Sequence, residues 1–131
     1  MATRIFVYDD NIGRQKALKL LIANSADMEF VGARENCNNV EEDIIAAEPD
    51  VVLMDIDMPG TNGIEGLKRI RKSAPGIFII MQTVFEDEEK IFGAIRAGAR
   101  GYLLKKDSPQ KILEAIDAVI NGESAMNGMI A

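Results

Sequence analysis

Val51-Val52-Leu53-Met54-Asp55-Ile56-Asp57-Met58-Pro59-Gly60 opens with four apolar residues in a row and then stops at a carboxylate. An apolar run of that length, without alternation, suits a strand buried on both faces, as in the centre of a parallel sheet. Ile77–Gln82 has the same character, and Arg4–Tyr8, Met28–Ala33 and Gly101–Leu104 supply three more runs of strand length. The intervening segments carry helical periodicity. The chain therefore reads as five βα units, an α/β fold with a doubly wound parallel sheet.

Helix punctuation agrees with that reading. Asn39 stands three residues before Glu42, the spacing of a capping box, and Pro49 closes the helix between them. Ser108-Pro109 places a cap and a first-turn proline ahead of Ile112, Ala115, Ile116, Val119 and Ile120, an apolar stripe at helical spacing that Gly122 stops. From Glu123 to Ala131 no periodicity is sustained. The expected organisation is one folded unit over residues 1–122, followed by the start of a linker or a disordered tail at 123–131.

With 131 residues, 47% hydrophobic and 27% charged, the composition is that of one ordinary domain. At this length about two thirds of the unfolded chain's surface is buried on folding, so no disulfide or metal staple is needed, and the lone Cys37 offers none. Histidine is absent, which excludes Ser-His-Asp and Cys-His nucleophiles and His-ligated zinc or haem. A net charge of −6 disfavours direct contact with a phosphate backbone. The apolar runs are far shorter than the roughly 20 residues of a bilayer span. Met1-Ala2-Thr3-Arg4 passes at once into a strand, leaving no room for a signal sequence, so a soluble cytoplasmic domain with no membrane contact is expected.

In an open parallel sheet, ligands bind beyond the carboxyl ends of the strands. There the first strand runs into Asp9-Asp10, the third into Asp55, the fourth into Thr83 and the fifth into Lys105-Lys106. Any one of these residues alone is most simply a helix cap or a strand terminator. Three carboxylates converging on one crevice are different, because their mutual repulsion calls for a cation. All-oxygen ligands at a partly open site suit Mg²⁺. Phosphoryl chemistry follows: Asp55 is the candidate nucleophile, with Mg²⁺ and the Lys105 ammonium neutralising charge on the transferred group.

These residues closely resemble the receiver domains of two-component response regulators. The resemblance runs through Val7-Tyr8-Asp9-Asp10-Asn11, Leu53 to Gly60, Gln82-Thr83 and Gly98-Ala99-Arg100-Gly101-Tyr102-Leu103-Leu104-Lys105, essentially the whole chain. It implies a flavodoxin-like fold with strand order 2-1-3-4-5. It further implies that Asp55 is the phospho-acceptor, Asp10 a direct Mg²⁺ ligand, Asp9 a ligand acting largely through water, and the Asp57 backbone carbonyl a further ligand. Thr83 matches the hydroxyl that follows the phosphoryl group, Lys105 the family lysine and Tyr102 the aromatic switch residue. The segment from Gly98 to Ser108, in which Lys106 follows the lysine where proline is usual, is similar to receivers that precede a LuxR-type helix-turn-helix domain.

The partners so implied are a sensor histidine kinase as phosphohistidine donor, a second copy on phosphorylation, and DNA only through a C-terminal domain that these residues do not include. A chain without histidine is then the acceptor of the pathway and never its donor. Two departures bear on the site: Val84 stands where alanine or glycine is common and should crowd the approach to Asp55, lengthening the phosphoryl lifetime, while Asp57 adds a fourth carboxylate near the entrance.

Two other functions compete. Asp55-Ile56-Asp57 resembles the nucleophile and acid pair of haloacid-dehalogenase-like phosphatases, but those enzymes place it on the first strand with metal carboxylates downstream, whereas Asp9-Asp10 lie upstream. A receiver-like module that signals without phosphorylation would be expected to have lost at least one of Asp9, Asp10, Asp55, Thr83 and Lys105.

Overall fold

The computed structural model describes residues 2–84 and 88–122; the stretch read above as a linker or tail, 123–131, lies outside the described residues. Five strands, β1 (Thr3–Tyr8), β2 (Met28–Arg34), β3 (Val51–Asp55), β4 (Phe78–Thr83) and β5 (Gly101–Leu104), form one parallel sheet in the order β2-β1-β3-β4-β5. The helices α1 (Ile12–Ala23), α2 (Val40–Ala47), α3 (Gly63–Ser73), α4 (Glu88–Arg96) and α5 (Pro109–Ile120) alternate with them. This is the flavodoxin-like arrangement.

Strand pleating divides the core into two layers. Tyr8, Val52, Met54, Ile79, Met81 and Tyr102 face one side, where Ile44 of α2, Leu67 and Ile70 of α3 and Ile91 of α4 cover them. Ile5, Val7, Val51, Leu53, Ile80 and Leu103 face the other and meet Leu18 and Ile22 of α1 with Ile112, Ile116 and Val119 of α5. The central strand β3 is buried at every residue, which is why its sequence shows no alternation.

Strands β3 and β4 run one residue further than the sequence indicates, so that Asp55 and Thr83 are their last residues and pair with Gln82 and Leu104. Polar side chains at those positions mark the sheet's edge without ending its ladder. Asn39 does not form the expected capping box. It precedes α2 with φ −119° and ψ 39°, away from the extended conformation a capping side chain needs, and makes no side-chain cap hydrogen bond. Functioning caps occur at Ser108, as expected, and at Asn11 and Asn62, whose side chains accept from the amides of Arg14 and Glu65. The α2 helix ends before Pro49 through Glu48, which takes a left-handed conformation with φ 48°.

Helix α3 begins hard against the end of β3, and that contact sets the height of Asp55 in the sheet. Gly63 N–H donates to the Ile56 carbonyl at 2.9 Å. A Cβ at Gly63 would lie 2.0 Å from the Asp55 carbonyl oxygen, a backbone atom that cannot step aside. Gly63→Ala is therefore expected to destabilise the domain by about 3 kcal/mol or more. Gly76→Ala, where a Cβ meets nothing within 4 Å, should leave stability unchanged in the same urea titration.

Candidate functional site

The carboxyl ends of β1, β3, β4 and β5 meet at one edge of the sheet, and the sequence-predicted residues gather there. Asp9 and Asp55 are buried, at 0% and 3% exposure, while Asp10 faces solvent. One carboxylate oxygen from each of the three lies within 4.8 Å of the others. Lys105, just past β5, reaches back so that its Nζ is 2.9 Å from Asp55 Oδ2 and 3.1 Å from Asp9 Oδ2.

Backbone amides hold the other oxygens. Asn11 N–H donates to Asp9 Oδ1 at 2.9 Å, and Asp57 N–H donates to Asp55 Oδ1 at 3.2 Å. Asp9 is fixed further through its carbonyl, which accepts from Gln15 Nε2 at 2.7 Å. A cleft of about 340 Å³ opens over these groups, lined by Asp10, Asn11, Asp55, Asp57, Val84, Lys90 and Lys105.

Burial dominates the electrostatics. Desolvation pushes the Asp55 carboxyl up to about 6; the Lys105 hydrogen bond and charge pull it down, Asp9 repels it upward and the Asp57 amide lowers it again. Burial also pulls the Lys105 ammonium down, but hydrogen bonds to Asp55 and Asp9 outweigh that and hold it above the ordinary lysine value. The cluster thus fits a hard divalent cation: three convergent carboxylate oxygens, one of them resisting ionisation without further positive charge, and an open side toward solvent.

Thr83 and Tyr102 belong to the same edge but not to the cleft lining. Thr83 is 1% exposed, and Tyr102 is fully buried in the layer of Met81 and Met54. The Tyr102 ring is thus inside the domain with Asp55 unmodified. Asp57 does not add an uncompensated fourth carboxylate at the entrance, because Lys90 of α4 pairs with its Oδ1 at 2.9 Å. Val84 is largely exposed and forms part of the cleft wall.

Sequence reading missed two cations here. Lys90 lies in a helix whose orientation only the packing of α4 decides. Arg14 stands in the first turn of α1, and its guanidinium donates to the Lys105 carbonyl at 3.1 Å and to Gln82 Oε1 at 2.9 Å. The single available signal was its place in the first turn of the helix that directly follows Asp9-Asp10.

Asp55 binds its proton more tightly in the folded state than in the unfolded chain, near 6 against 3.8. Its contribution to stability is therefore lost as pH rises from about 4 through 6. Without metal, Asp55→Asn should stabilise the domain at pH 7.5 by on the order of 2–3 kcal/mol and give no gain at pH 4. Thermal unfolding at the two pH values, in chelator, checks this.

The sequence profile of the response regulator receiver domain matches residues 5–117. The uncharacterized transcriptional regulatory protein YxjL of Bacillus subtilis is 34% identical over 128 residues, covering 98% of this chain and 59% of that protein. The nitrate/nitrite response regulator protein NarL of Escherichia coli K12 is 32% identical over 123 residues, covering 94% of this chain and 57% of that one. The chain thus spans little more than half the length of these relatives. A crystal structure of a two-component response regulator of the LuxR family from Aurantimonas sp. SI85-9A1 superimposes with a TM-score of 0.92 at 28% identity, covering 99% of this chain and 93% of that one.

Proposed function

The chain belongs to the response regulator receiver domains, of the NarL and LuxR type, and on that premise we propose that it accepts a phosphoryl group on Asp55 from the phosphohistidine of a sensor histidine kinase. The observation that carries this reading is the Lys105 ammonium bound to both Asp9 and Asp55 within a cluster of three carboxylates. Such an arrangement costs stability, as is characteristic of sites kept for their chemistry.

In the proposed step an Asp55 carboxylate oxygen attacks phosphorus, the phosphorus–nitrogen bond breaks, and the electron pair leaves on the imidazole, which takes up a proton. Asp9, Asp10 and Asp55 would hold Mg²⁺, with the Asp57 carbonyl as a further ligand. Bound there, the metal neutralises charge on the phosphoryl oxygens. Lys105 already donates to Asp55 Oδ2, so its ammonium lies beside the carboxylate that becomes the acyl phosphate and opposes the negative charge that the phosphoryl group brings. Burial keeps bulk water from both Asp9 and Asp55.

The Thr83 hydroxyl then follows the phosphoryl group. Because Tyr102 starts buried, the movement of Thr83 alters what its ring packs against, and the face of α4, β5 and α5 changes with it. The output is a second copy or an attached DNA-binding domain, in keeping with the additional length of the relatives. The domain acts in the cytosol as a signalling acceptor that holds its phosphoryl group and does not turn over. Among the described residues no helix is long and apolar enough to cross a membrane.

Acetyl phosphate with Mg²⁺ should place one phosphoryl group per chain, as read by intact mass. Chelator or Asp55→Asn should abolish it, and Asp10→Ala should weaken Mg²⁺ binding at least about tenfold. Fast multiple turnover of the donor, or no modification at all, contradicts the reading. Val84→Ala should shorten the lifetime of the modification by opening the cleft wall to water; an unaltered hydrolysis rate would remove the crowding argument.

A further inference from the structure

One charged side chain in contact with the acidic site has no part in the chemistry above. Arg14 leaves the first turn of α1, crosses the sheet edge and ends on two neutral acceptors, the Lys105 carbonyl at 3.1 Å and Gln82 Oε1 at 2.9 Å. Its Nε and the Nε2 of Gln82 are buried with no acceptor among the described residues. An arginine serving only to tie a helix to a sheet is poorly placed there, since leaving two buried donors unsatisfied costs stability. Burial lowers its pKa, and the carboxylates of Asp9, Asp55 and Asp107 act against that fall, so its charge belongs to the field of the cluster.

The position of Lys105 depends on this contact. A lysine side chain has four rotatable bonds and holds its head group in place only if its backbone is fixed. The Lys105 N–H donates to the Thr83 carbonyl at 2.8 Å, and its own carbonyl is the group that Arg14 holds. The next residue is Lys106, so no proline ring stiffens the junction between β5 and α5. Gln82, the second acceptor, directly precedes Thr83, so one guanidinium spans the two strand ends that carry Thr83 and Lys105.

We propose that Arg14 is a positioning residue for the phosphoryl chemistry: it clamps the Lys105 backbone so that the ammonium stays on Asp55, and it adds a second fixed positive charge to the site. The proposal rests on the reading of Asp55 as acceptor. The charge balance makes it specific. Without metal, three carboxylates face Lys105 and Arg14. Once Asp55 carries a phosphoryl dianion, the four negative charges of that group, Asp9 and Asp10 equal those of Lys105, Arg14 and one divalent cation.

Loss of Arg14 therefore acts in opposite directions on the two states. The unmodified cluster becomes more negative and attracts a cation more strongly, while the phosphorylated state loses a balancing charge and Lys105 loses its anchor. General damage to the domain would weaken both.

The test uses the whole chain and two variants, Arg14→Met and Arg14→Lys, with thermal melts to establish that each folds. Mg²⁺ affinity is read by calorimetry, and the initial rate of labelling by acetyl phosphate is read at saturating Mg²⁺. Arg14→Met is expected to bind Mg²⁺ about fivefold tighter and to be labelled about tenfold more slowly. Arg14→Lys keeps the charge but cannot span both acceptors, so its affinity should match wild type while its labelling remains slow. Affinity and rate falling together in either folded variant, or wild-type labelling in Arg14→Lys, overturns the proposal. Wild type that takes no label defeats the acceptor reading itself and the proposal with it, a result distinct from any shift in Mg²⁺ affinity.

Discussion

The bridge from Lys105 Nζ to Asp9 and Asp55 is the interaction on which the rest of the site depends. Both carboxylates are almost wholly excluded from water, and an uncompensated pair would cost several kcal/mol. One ammonium does not fully offset that cost, as the raised Asp55 carboxyl indicates. The domain is thus built with a local deficit of positive charge, and a deficit at an open cleft is what makes a divalent cation a favourable occupant, the cation then supplying the counter-charge that a phosphoryl group needs. The surrounding structure maintains it: the close approach of Gly63 to the Asp55 backbone fixes the acceptor, and the amides of Asn11 and Asp57 orient the carboxylates.

Much of this was legible in the sequence because it is written in local patterns. The unbroken apolar runs of β3 and β4 identify strands covered on both faces, and the helical stripe of α5 with its Ser108 cap is observed as expected. Once the sheet is parallel, its topology alone delivers Asp9, Asp10, Asp55, Thr83 and Lys105 to one edge, so the site residues follow from the fold class. Long-range placement was not legible. The pairing of Lys90 with Asp57 requires α4 to lie over the end of β3, and the reach of Arg14 depends on how α1 crosses the edge. No pattern along the chain specifies either. Asn39 fails differently: a favourable residue type at the right spacing adopts backbone angles outside the extended region, and its side chain makes no cap hydrogen bond.

The mouth of the cleft is held more loosely than its floor. Lys90 and Asp57 are both substantially exposed, and such a pair contributes only about 0–1 kcal/mol. Floor contacts are buried and mutually braced, whereas Lys90 of α4 meets Asp57 at the cleft mouth in an exposed pair. On the proposed reading, this difference lets the acceptor geometry persist while the α4 side responds to the charge that arrives.

The central claim is that the buried carboxylate of Asp55, and not a neighbouring one, forms the acyl phosphate. Borohydride reduction of the phosphorylated chain converts an aspartyl phosphate to homoserine, and peptide mass spectrometry then locates the reduced residue. Homoserine at position 55 alone is the predicted result. Reduction at position 9, 10 or 57, or phosphate retained on a hydroxyl such as that of Thr83, would contradict the account.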